Sequence, residues 1–147
     1  MLHRRAVLAL GLLALAPRRA WAAAPDIDVY SDPSCGCCGA WVRHLEANGF
    51  RVRTHDLAAD ALAALKRARG ITDALASCHT ALVGGYVVEG HVPAADIRRL
   101  IAENAPARGL TVPGMPGGSP GMEGAPRERF DVLLIDLRGG TRPYATY

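Results

Sequence analysis

Three of the chain's four cysteines fall within four residues, Cys35-Gly36-Cys37-Cys38. They lie between a short alternating stretch, Ile27-Asp28-Val29-Tyr30, and a helical pattern carried by Trp41, Val42 and Leu45. The turn residues Ser31-Asp32-Pro33-Ser34 separate strand from cysteines, so the thiols sit at a strand-to-helix junction. A helix N-terminus favours thiolate, because its free N–H groups and dipole stabilise negative charge there. Cys35 and Cys38 form a C-x-x-C pair, and Cys37 lies between them. A dithiol that only exchanges electrons has no need of the middle thiol, so the cluster reads either as a redox pair or as a thiolate cage for a metal.

The segments around the cluster predict the scaffold. Ala40–Asn48 is expected to be a helix stopped by Gly49, and Phe50–His55 alternates as a second strand. Asp60–Arg69 predicts a second helix with Leu62 and Leu65 inward and Gly70 as its stop. Thr80–Val83 and Tyr86–Val88 flank Gly84-Gly85 as a hairpin. Pro93 opens a third helix with Ile97, Leu100 and Ile101 inward. Residues 109–124 are rich in Gly and Pro and lack any hydrophobic period, which predicts a loop. Asp131–Leu137 reads as a buried strand and Tyr144–Tyr147 as its returning partner, so the loop is anchored at both ends. The expected class is α/β, a thioredoxin-like βαβαββα core with C-terminal strands.

Residues 1–22 carry the pattern of a secretory signal peptide. Arg4 and Arg5 precede the apolar run Ala6–Ala16, and Ala20-Trp21-Ala22 is an A-x-A site. The apolar run is too short for a membrane span. The expected organisation is therefore a signal at 1–22 and a single metal-binding domain at 23–147, exported to the periplasm, with no membrane span after cleavage. The signal carries four arginines and no acid, and the remainder holds 13 cationic and 14 acidic side chains. The formal net charge of +3 thus belongs to the segment removed, and no basic surface is left for nucleic acid.

The remaining candidates lie apart in sequence. Cys78-His79 precedes the hairpin, where the expected fold brings it opposite Cys35, Cys37 and Cys38. His79 reads equally as a metal ligand or as a partner of the backbone. Met115 and Met122 recur in two Pro-Gly-Met triplets, and neither lies on a periodic face. Thioethers and thiolates together select Cu(I). Zinc also accepts four thiolates. His91 is expected to cap or pack. His44 and His55 are expected to face solvent and are assigned no role, and Trp41 is expected in the core.

The chain from 26 to 147 resembles the CopG-type family of small exported thioredoxin-fold proteins associated with bacterial copper resistance. The resemblance rests on CGCC at Cys35–Cys38, SCHTALV at Ser77–Val83, EGHVPA at Glu89–Ala94 and GMPGGSPGME at Gly114–Glu123. It implies copper, chiefly Cu(I), as the bound metal, held by Cys35, Cys37, Cys38 and Cys78 with methionine support. It also implies copper ions as the cargo, and another periplasmic copper protein or an efflux component as partner. Redox exchange between copper and thiols is the companion expectation. The alternative is a thiol–disulfide oxidoreductase with Cys35 as nucleophile and Cys38 as resolving thiol.

Overall fold

A computed structural model describes residues 25–147, and the expected signal peptide at 1–22 lies outside them. The elements run β1 (Asp26–Ser31), α1 (Gly36–Ala47), β2 (Arg51–Asp56), α2 (Ala59–Ala68), β3 (His79–Val83), β4 (Tyr86–Glu89), α3 (Ala94–Glu103), β5 (Ala107–Thr111), β6 (Asp131–Asp136) and β7 (Thr141–Thr146). The first seven elements reproduce the expected βαβαββα order. The sheet is mixed and seven-stranded, in the order β2-β1-β3-β4-β5-β6-β7. Strand β1 pairs in parallel with β2 and antiparallel with β3, so the two long βα connections and the hairpin meet at the centre. Strand β5 joins in parallel beside β4, with α3 as the crossover.

Burial follows from the strand period of two. Ile27, Val29, Ala81, Val83 and Val88 point to one face, where Trp41 and Leu45 of α1 and Ile97 and Leu100 of α3 cover them. Val87, Ile135 and Ile71 form a smaller cluster on the other face. Among the described residues, no helix is long and apolar enough to cross a membrane.

Two boundaries depart from the sequence reading. Helix α1 begins at Gly36 rather than Ala40, with Cys35 as its N-cap. Glycine and small residues do not prevent a first turn, because its N–H groups have no partner within the helix in any case. Asp32 sets the entry: its backbone carbonyl accepts from Cys35 N–H at 3.0 Å, and its carboxylate accepts from Ser34 N–H at 2.8 Å. The Gly/Pro segment also begins later than expected. Residues 109–111 belong to β5, where Leu110 and Thr111 are fully buried between β4 and β6. The irregular loop therefore starts after Thr111.

Candidate metal centre

The strand-to-helix junction places Cys35 at the N-cap of α1 and Cys37 and Cys38 in its first turn. Cys78 enters from the residue before β3, which pairs with β1. The four sulfurs lie within 4.8 Å of one another. Cys35 and Cys38 are joined as a disulfide, and Cys37 and Cys78 are free thiols. Cys37 Sγ is 3.6 Å from Cys35 Sγ and 3.7 Å from Cys78 Sγ. The expected meeting of position 78 with the α1 cysteines is thus realised. Burial, followed by the charge of Cys37, pushes the Cys78 thiol up to about 12. Crowded thiols hold their protons because each new thiolate would repel the next.

Two imidazoles flank Cys78. His79 Nδ1 is 3.3 Å from its sulfur, and His91 Nε2 is 3.1 Å away. Both rings are fully buried. His91 Nδ1 donates to the Pro120 carbonyl at 2.7 Å, which leaves Nε2 as the bare nitrogen facing sulfur. The expectation that His91 merely caps or packs is therefore incomplete: its ring closes the Cys78 side of the centre. No local signal marked it, since its partners come from positions 78 and 120. His79 lies tilted against Trp41, with ring centroids 4.3 Å apart, and among the described residues its Nε2 is buried without a partner. Burial holds the His79 imidazolium down to about 3, helped by the charges of His91 and Lys66. Burial also lowers His91. Both rings are neutral at pH 7, which is the form that ligates metals.

The Gly/Pro loop covers the centre. Gly114 N–H donates to the Ala76 carbonyl at 3.0 Å, and Ser77 Oγ donates to the Gly114 carbonyl. These bonds hold Met115 over the cluster, with its sulfur 3.9 Å from Cys37 Sγ. Met115 is 51% exposed, so it stands at the solvent side. Met122 is placed differently. Its backbone is bonded to Ser119, Gly118 and Ala125, and among the described residues its thioether makes no sulfur contact of the Met115 kind. Gly121 sits at φ +91° against α1, where an added Cβ would lie 2.9 Å from both Cys37 O and Trp41 N.

Beneath Cys78 is a buried ion pair. The fully buried Glu89 accepts from Ser77 N–H at 2.7 Å, from Thr80 Oγ1 at 2.6 Å and from Lys66 Nζ. Burial raises the Glu89 carboxyl, and Lys66 opposes that rise. Ser77 and Thr80 bracket Cys78-His79, so Glu89 fixes the segment that presents them. His44 is also corrected. It does not simply face solvent: its Nε2 accepts from Ala94 N–H at 3.1 Å, supplying the cap that Pro93 lacks. His55 is tied to Asp28 at 2.8 Å and stacked on Tyr30.

Fold and centre together define a class: a mixed α/β protein whose strand-to-helix turn, hairpin entry and covering loop converge on a sulfur-rich, imidazole-flanked cluster. Residues 75–122 match the family described as "Protein of unknown function, DUF411". Two solved structures, described as "Copper resistance protein copG- Form 1" and "Form 2", are each 46% identical to the chain. Each match covers 84% of this chain and 98% of that one, with TM-scores of 0.78 and 0.77. No curated protein matches. The chain belongs to the family of these copper resistance CopG proteins.

Proposed function

We propose that this is an exported copper-binding protein that holds Cu(I) on thiolates in the periplasm and serves copper resistance or homeostasis. The observation that carries the proposal is the gathering of four sulfurs, three from one helical turn and one from forty residues away, within 4.8 Å. Reduction of the Cys35–Cys38 disulfide frees two thiols, which join Cys37 and Cys78 to make four at one point. Four thiolates so close repel one another, and a bound cation relieves that repulsion; burial and then the charge of Cys37 already raise the Cys78 thiol. Met115, with His91 or His79, can complete the donor set: His91 Nε2 and His79 Nδ1 are the nitrogens that lie beside the Cys78 sulfur. Zinc suits four thiolates equally, but the thioether at 3.9 Å from Cys37 favours Cu(I).

Thiol redox chemistry is the companion function. The Cys35–Cys38 disulfide favours it directly, and on this reading disulfide formation removes two thiolates and weakens the hold on copper. A copper protein or efflux component of the same compartment would receive the ion. The test is a competition titration of the reduced mature chain with Cu(I) and a chelator, without oxygen. The native chain should win copper, and a Cys37→Ser, Cys78→Ser variant should lose it. If both fail while the native chain still reduces a test disulfide, the protein is a thiol–disulfide exchanger instead.

A further inference from the structure

A second concave site lies at the opposite end of β3 from Cys78. It is a cavity of about 560 Å³, lined by Arg67 and Arg69 at the end of α2, Arg108 on β5, and Leu82, Tyr86 and Val87 of the hairpin. Its lining holds three guanidinium groups and no acid. Among the described residues, none of the three arginines forms an ion pair, whereas Arg51, Arg53 and Arg99 all do.

The backbone is arranged to deliver Arg108 there. Ala107 pairs with Asp136 and Gly109 with Ile135, so Arg108 is the extra residue of a β-bulge. Bulges re-aim side chains at sites where a ladder position would not serve. The guanidinium then crosses Gly70, where an added Cβ would lie 1.5 Å from Arg108 Nη1, and Gly70 itself sits at φ +71°. Arg108 donates to the Gly70 carbonyl at 3.1 Å and to the Leu137 carbonyl at 3.3 Å. Those bonds use two of its five N–H donors, so the group is fixed in place with donors to spare. Arg67 and Arg69 stand exposed at the rim. On this face of the sheet Val87 is buried and Leu82 half-buried, and the two supply an apolar strip beside the arginines.

We propose that this cavity binds a small organic dicarboxylate. A planar guanidinium matches a carboxylate through paired N–H···O bonds. The Leu82 and Val87 strip suits a carbon stem, which inorganic phosphate lacks. The volume is that of a small-molecule site. The site is separate from the cysteine cluster and does not depend on what the cluster binds.

The test uses adipate as probe at low ionic strength, with amide chemical shifts of the isotope-labelled mature chain as readout. Saturable shifts at Gly70, Gly85 and Arg108 are expected. An Arg67→Gln, Arg69→Gln variant should keep the parent's melting midpoint, because among the described residues both side chains are exposed and neither forms an ion pair. Its adipate affinity should fall at least about tenfold, the loss expected for a charge-assisted hydrogen bond. An Arg108→Gln variant that stays folded should lose binding as well. Absence of saturable shifts overturns the proposal, as does a double variant that binds equally well. Phosphate binding as tightly as adipate overturns the assignment to an organic carboxylate.

Discussion

Gly121→Ala tests whether the covering loop is seated on the centre. Gly121 occupies φ +91°, where an L-residue pays roughly 1–2 kcal/mol in steric cost. Its new methyl would meet Cys37 O and Trp41 N at 2.9 Å and His91 Nδ1 at 3.2 Å. Two of these are backbone atoms of α1, so the loop rather than the helix must give way. Displacement also strains the bond from His91 Nδ1 to the Pro120 carbonyl, whose loss adds about 1 kcal/mol. The total is about 2–3 kcal/mol, and for a domain of this size it corresponds to a fall of about 10 °C in melting midpoint. Circular-dichroism melts of the copper-free protein, parent and variant in the same thiol state, measure this. Met115 is carried by the same loop, so the variant should also surrender Cu(I) to a chelator more readily. A midpoint within about 2 °C of the parent, with unchanged copper retention, would show that the loop does not rest on α1, and the account of the centre's cover would fail.

Two further perturbations follow from the buried groups. Glu89→Gln leaves Lys66 without its counter-charge and presents an amide to Ser77 N–H, so it should destabilise by about 3 kcal/mol in denaturant titration; a loss under about 1 kcal/mol would mean the ion pair does not hold the Cys78 segment. The His79 imidazolium is held down to about 3 in the fold against an ordinary value of 6.5. The unfolded chain therefore takes up the proton first on acidification, and the stability contributed by His79 is present above pH 6.5 and lost as pH falls towards 3. The difference in unfolding free energy between parent and His79→Leu should decline by about 1.2 kcal/mol between pH 6 and pH 5, and a flat difference would contradict the burial argument.

The legible parts of the fold were those whose pattern is local. Ile27–Tyr30 alternates, Gly84-Gly85 marks its hairpin, and Ile97, Leu100 and Ile101 repeat with helical spacing. From these the βαβαββα order followed, and with it the meeting of Cys78 with the α1 cysteines. Residues 109–111 were hidden because a strand held by β4 and β6 needs little hydrophobic signal of its own, and Gly109 disguised it. The position of His91 was illegible for a different reason. Its role depends on Cys78 and on the Pro120 carbonyl, 13 and 29 residues away, and no period links them. Met115 and Met122 looked equivalent in their triplets, yet only Met115 follows the glycine bonded to Ala76 and Ser77. The ion pair of Glu89 with Lys66 went unread because each residue alone suits a solvated surface.

The most direct test of the central claim is a crystal of the reduced, copper-loaded mature chain, measured for anomalous scattering at the copper edge. Copper density is expected among the sulfurs of Cys35, Cys37, Cys38 and Cys78, with the Cys35–Cys38 bond open. Copper found away from these sulfurs, or bound while that disulfide stays closed, would contradict that claim.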